Sequence, residues 1–171
     1  KTCMYFSKKL NTDCIIMRVS NGYGEPIFKE SNCWNLIIND LVKTAYLTNK
    51  VIIKSSGEEE KNFIHLSDIC KSVSKVINSN MGTNNSLYLV NSKYTFSIIE
   101  IGILIKSIFK KRYLKNIPIY VNKASLSEDK IKRVSSALLK KSLPTKSNKN
   151  IIDGLNDLLS YVEANFNATH Y

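Results

Sequence analysis

The chain has 171 residues, enough for one domain that buries about 70% of the surface an unfolded chain exposes, so no disulfide or metal staple is needed. An apolar content of 43% and a charged fraction of 23% describe a packed globular protein and exclude a disordered one. The net charge of +11, from 25 Lys and Arg against 14 Asp and Glu, favours anionic partners, but the lysines are scattered and no aromatic ladder runs between them, which argues against nucleic acid.

Lys1 stands where an initiator methionine would, and the first nine residues, ending Phe6-Ser7-Lys8-Lys9, read as the tail of a helix whose beginning is absent. A fragment is the expectation, although a processed chain would start in the same way. Asp13 to Met17 reads as a buried strand that runs into a glycine-containing loop, Asn21 to Pro26. Trp34, Leu36, Ile37, Leu41, Val42, Ala45 and Leu47 recur at helical spacing, which predicts an amphipathic helix over Ser31 to Asn49 capped by Ser31 or Asn32.

Val51-Ile52-Ile53 and Asn62 to Leu66 read as strands separated by Glu58, Glu59 and Glu60. A helix over Ser67 to Asn78 follows, with Ser67 or Asp68 as its cap, then a strand at Leu87 to Val90. Ser97 and Glu100 have capping-box spacing and open a helix that runs through Phe109. A strand at Ile119 to Val121, a short helical piece around Ser135 to Lys141 and a closing helix over Ile151 to Phe166 complete one alternating α/β unit without internal repeats.

The four cysteines, Cys3, Cys14, Cys33 and Cys70, form no Cys-x-x-Cys pair and the two histidines, His65 and His170, lie far apart, so no metal site is expected. No signal peptide or membrane-length apolar run is visible, and reduced thiols in a cytoplasmic protein are the expectation.

Arg18-Val19-Ser20-Asn21-Gly22-Tyr23-Gly24-Glu25-Pro26 resembles the Arg-x-x-Asn-x-Tyr-Gly-x-Pro signature of extended short-chain dehydrogenases. Ser56-Gly57, followed by Lys61-Asn62-Phe63-Ile64-His65-Leu66-Ser67-Asp68, resembles the family's Gly and Arg-Asp-Phe-Ile-His-Val-x-Asp block, in the same order. Cys33 to Leu36, Tyr88 to Asn91, Ser97 to Ile101 and Ile151-Ile152-Asp153-Gly154-Leu155 extend the likeness over almost the whole chain. The chain is thereby identified as similar to the C-terminal, substrate-binding portion of an NAD(P)-dependent nucleotide-sugar epimerase/dehydratase. The likeness implies an α/β fold: the C-terminal part of a Rossmann-type parallel sheet plus a small α/β substrate-binding domain.

Two family hallmarks are missing. No glycine-rich strand-turn-helix for a pyrophosphate occurs, since Gly22-x-Gly24 is too short and wrongly placed. The family's Tyr-x-x-x-Lys pair is not found at its place either: Lys1 lies too close to Arg18 to be the family's lysine, and Lys9, four residues after Tyr5, lies closer still. The expectation is therefore that the parent enzyme uses NAD or NADP while this chain alone binds neither and carries no catalytic residue.

The resemblance assigns nucleotide-diphosphate-sugar contacts to Asn21, Asn35, Leu36, Val51, Ile53 and Lys61, and a border with the nicotinamide to the backbone of Val19 and Ser20. Beside each stands a structural alternative: a turn at Asn21, core packing for Leu36, Val51 and Ile53, and solvation for Lys61, which replaces an arginine of the family and loses its two-pronged grip. Arg18 is expected to pin loops, His65 to pack and hydrogen-bond, and Asp68 to cap the next helix. Lys130, Lys132 and Arg133 are weak candidates for a C-terminal substrate clamp. The parent is expected to be a homodimer without nucleic-acid or membrane partners. A catalytically inactive binding or scaffolding module is the competing functional reading.

Overall fold

Helix caps and turn residues fix the order of elements. A computed structural model describes residues 2–78, 87–122, 124–125 and 149–166. Along the chain these form α1 (Thr2–Leu10), β1 (Ile16–Val19), β2 (Asn21–Tyr23), α2 (Ile37–Thr48), β3 (Val51–Ile53), β4 (Glu60–His65) and α3 (Leu66–Asn78). β5 (Leu87–Val90), β6 (Thr95–Ser97), α4 (Ile98–Tyr113), β7 (Ile119–Val121), β8 (Ala124–Ser125) and α5 (Ile151–Asn165) follow. The expected helix around Ser135 to Lys141, together with Lys1, Lys130, Lys132 and Arg133, lies outside the described residues.

Three small sheets result, each containing a parallel pair. β1 pairs with β5, β2 with β4 and β3 with β7, all parallel, while β6 and β8 add antiparallel edges to β4 and β7. The α/β class read from the sequence holds. The core is built by α2, α4 and α5 around β3 and β7, with Leu158, Val162, Ala45, Ile101 and Val51 fully buried. Gly102 lets α4 lie close on β3, because a Cβ there would stand 3.2 Å from Val51 Cγ1 and 3.3 Å from Ile53 Cδ1.

The structure corrects several boundaries. The strand expected to be buried at Asp13 to Met17 lies instead at Ile16–Val19, in a two-stranded ribbon. Val19, Leu87 and Leu89 of that ribbon are exposed, and α1 likewise exposes Met4, Tyr5, Phe6 and Leu10. The expected loop at Asn21 contains β2, whose short run of polar, glycine and aromatic residues has no period but pairs with Phe63 to His65. β6, also three residues long, is likewise too short to show a period.

Ser31 and Asn32 do not cap α2. Its N-cap is Leu36, which supplies no side-chain hydrogen bond, and residues 31 to 36 form turns closed by Cys33 N–H to Ser31 O and Leu36 N–H to Cys33 O. Tertiary contacts overrode the helical spacing: Trp34 stacks on Tyr161, meets Phe166 edge-on at 5.0 Å between centroids, and donates Nε1–H to Lys29 O.

α3 begins one residue early, at Leu66, directly from β4. Asp68 does not cap it. The buried Asp68 carboxylate accepts the Lys149 backbone N–H at 2.7 Å and pairs with Lys71 at 3.3 Å, so it ties the approach to α5 onto α3. The capping box at Ser97 and Glu100 forms as read, with Ser97 N–H to Glu100 Oε2 at 2.6 Å and Glu100 N–H to Ser97 Oγ at 3.2 Å. α4 runs one turn past Phe109 to Tyr113 and ends at Leu114 in a left-handed conformation.

Candidate functional site

A groove of about 340 Å³ opens between the N-terminal end of α2, strand β3, the loop after it and the start of β4. Asn35 and Ile37 line one side, Ile52 and Ile53 the floor, and Lys54, Glu59 and Lys61 the rim. The uncapped start of α2 directs free amides and a partial positive charge to this end, the usual physical basis for holding an anion. Asp40, in the first turn, balances that charge and holds Lys54 at 2.9 Å. Lys61 Nζ is held by Glu59 at 2.8 Å, and its side chain is 27% exposed against 75% for Glu59.

Of the residues assigned by resemblance, Asn35, Ile53 and Lys61 therefore come together. Leu36 sits beside them, exposed, as the α2 N-cap. Val51 does not line the groove: it is fully buried in the core on the same face of β3 as Ile53, which reaches the groove from the end of the strand nearer its rim.

Val19, Ser20 and Asn21 lie elsewhere, at the junction of β1 and β2. Ser20 donates its backbone N–H to Val90 O and its hydroxyl to Asn62 Oδ1 at 2.8 Å; Asn21 Nδ2 donates to Asn62 O at 3.0 Å. Asn62 also donates to the carbonyls of Ser92 and Tyr94 and accepts the Ser92 N–H, so one side chain joins the β1–β2 junction to the segment before β6. This is the loop-pinning role expected of Arg18, whose side chain is exposed. Read from sequence alone Asn62 has no individual role; its signal is a polar amide between Lys61 and the apolar pair Phe63-Ile64 of β4.

A buried polar cluster joins α2 to the segment after β2 and to the end of β4. Asn39, fully buried on the apolar stripe of α2, donates to Gly24 O at 2.9 Å and accepts the Gly24 N–H at 3.2 Å. Gly24 has φ +140°, and a Cβ there would stand 3.0 Å from His65 Nε2. His65 is buried, meets the Tyr23 ring edge-on, contacts Ser67 Oγ through Nδ1 at 2.9 Å, and brings Nε2 within 3.3 Å of Glu25 Oε2 without hydrogen-bond geometry. Burial pushes the Tyr23 hydroxyl well above its ordinary range, which removes it as an acid/base near neutral pH.

Burial, and then the charge of Lys149, lowers the His65 pKa below 6.5, while Glu25 and Asp68 oppose the shift. A lowered histidine pKa contributes stability that is full above pH 6.5 and declines as the pH falls below it. His65→Gln should accordingly lose less Tm between pH 7 and pH 5.5 than the wild type; an equal or larger loss would assign the acid sensitivity to other groups.

Among the described residues no group of three His, Cys, Asp or Glu is placed to hold a metal ion, and no helix is long and apolar enough to cross a membrane. No family model and no curated relative matches the sequence. Solved structures do. The chain is similar to UDP-glucuronic acid 4-epimerase from Bacillus cereus, solved with UDP-glucuronic acid and NAD, at TM-score 0.66 and 18% identity over 96% of this chain and 49% of that one. It is similar to dTDP-glucose 4,6-dehydratase from Bacillus anthracis with NAD, at TM-score 0.64 and 17% identity, again over 96% and 49%. RMD from Pseudomonas aeruginosa with NADPH matches at TM-score 0.66 and 13% identity over 96% and 53%. The chain spans about half the length of the solved proteins it matches, and over that length it shares their α/β fold.

Proposed function

We propose that this chain is the nucleotide-sugar-binding portion of an NAD(P)-dependent epimerase, dehydratase or reductase, and that the groove beside α2 receives the nucleoside diphosphate. The observation that carries the reading is the meeting of Asn35, Ile53 and Lys61 at an uncapped helix start, within a fold shared with enzymes solved with such ligands. The parts complement a nucleoside diphosphate: Ile52 and Ile53 offer an apolar wall for a base, the α2 amides and Lys61 face an anion, and Asn35 supplies an amide for a hydroxyl.

The chain's own residues do not fit a whole dinucleotide. No glycine-rich strand-turn-helix is present in the sequence, and the Ser20 amide and hydroxyl are already bonded to Val90 and Asn62. In this reading the cofactor is gripped by a further dinucleotide-binding half, and the present residues bind and orient the substrate. The parent reaction is a hydride transfer to and from a sugar carbon through a transient keto-sugar. We assign the complete enzyme to the cytoplasm, as a homodimer.

Lys61 tests the assignment. A charge-assisted hydrogen bond to phosphate contributes about 1.5–3 kcal/mol, so Lys61→Ala should weaken UDP-sugar binding roughly 10- to 150-fold at low salt. Lys61→Arg should preserve or tighten it. Calorimetric titration with UDP-glucose and dTDP-glucose gives the comparison, and an unchanged dissociation constant in Lys61→Ala would place the phosphates elsewhere.

A further inference from the structure

The three consecutive glutamates that lead into β4 are not equivalent. Glu60 pairs opposite Ser97 in the antiparallel ladder, and its carboxylate accepts the Thr95 hydroxyl at 3.0 Å, which uses it to fasten β6. Glu59 stands two residues from Lys61, on the same side of the extended chain, and its carboxylate occupies the Lys61 ammonium at 2.8 Å. Gly57, with φ +71° and with Ile99 Cγ1 only 2.9 Å from where a Cβ would be, anchors the loop that delivers Glu59 to the rim.

The groove therefore holds two lysines, Lys54 and Lys61, and each already has a carboxylate, Asp40 and Glu59. In a chain of net charge +11 this pocket is locally balanced. The two pairs differ in burial. Lys54 is 78% exposed and its partner sits on a helix, whereas Lys61 is largely shielded and its partner is an exposed side chain free to swing into solvent. A phosphate oxygen entering the groove meets Lys61 at the position a carboxylate oxygen now fills.

We propose that Glu59 is an intrachain competitor for the phosphate subsite: its carboxylate stands in for the ligand on Lys61 and must be displaced before a nucleoside diphosphate binds. The inference rests on the functional reading above and adds a regulatory element to it. The Glu59–Lys61 pair keeps the ammonium ordered and screened from adventitious anions, so that a single phosphate gains little while a ligand that also fills the apolar wall displaces Glu59. Glu59, the exposed partner, keeps its contact with water, so the pair is weakened by solvent and the competitor stays displaceable.

The test uses the full chain with UDP as probe and inorganic phosphate as control, titrated at low salt into the wild type, Glu59→Gln, Lys61→Ala and the double variant. Glu59→Gln keeps the size and polarity of the side chain and removes its charge. It should tighten UDP two- to fivefold and tighten inorganic phosphate at least as much, and the gain should vanish in the Lys61→Ala background. If Lys61→Ala weakens UDP but Glu59→Gln leaves it unchanged or weaker, the competitor is overturned while the groove assignment stands. If Lys61→Ala has no effect, or no variant binds UDP at millimolar concentration, both are overturned. A gain in Glu59→Gln that persists without Lys61 would mean general relief of negative charge and also defeats the proposal.

Discussion

Asn39→Leu is expected to destabilise the fold by about 2–5 kcal/mol, because it leaves a buried N–H and a buried carbonyl of Gly24 without partners while keeping the side-chain volume nearly constant. Few changes isolate a polar contribution so cleanly. Leucine fits the stripe formed by Ile38, Leu41, Val42 and Ala45, so the loss of packing is small and the loss of two hydrogen bonds dominates. Gly24 cannot rotate to other partners, since φ +140° and the His65 ring fix its backbone. Urea unfolding reads the change as a lower midpoint at constant slope, and an unchanged midpoint would mean that the Gly24 groups find other partners.

The second large effect is expected at Gly154, in the first turn of α5. A Cβ there would stand 2.5 Å from Tyr23 Oη, 2.9 Å from His65 Cδ2 and 3.0 Å from Tyr23 Cε2. Replacing a helical glycine with alanine normally gains about 1 kcal/mol, but overpacking against a rigid, fully buried tyrosine outweighs that gain. Gly154→Val, with two further methyls, should be destabilised by about 3 kcal/mol or more. Tyr23→Phe removes the atom at 2.5 Å and should restore part of the loss in the double variant. Simple additivity of the two changes would show that α5 does not seat on Tyr23 as described.

The sequence is legible where a residue's neighbours in the chain are also its partners in space. The capping box at Ser97 and Glu100 is written within four residues, and the stripe of α5 within four turns, so both were readable. Asn39 was not, because its partner is fifteen residues upstream and a lone amide on an apolar stripe has no local meaning. The start of α2 was misread because Trp34, spaced for the helix, packs against Tyr161 and Phe166 near the other end of the chain. At the groove, resemblance supplied Asn35, Ile53 and Lys61, yet it could not show that Glu59 already holds Lys61 or that the β3 pleat faces Val51 inward. Asp68 was readable as an acid in the first turn of a helix, but not as the acceptor for Lys149, far along the chain.

The β1–β5 ribbon joins segments about 70 residues apart through only four register pairs, and one face of it is open to solvent. Closing so long a span is entropically unfavourable, and a short parallel pair covered on one face only returns little to offset it. The ribbon is thus expected to assemble later in folding, and to open more readily in the native state, than the α2–α4–α5 core. Ser20 hangs from its end through the hydrogen bond to Val90 O. Whatever docks against Val19 and Ser20 therefore meets a local equilibrium between closed and open ribbon, and its apparent affinity is scaled by the closed fraction.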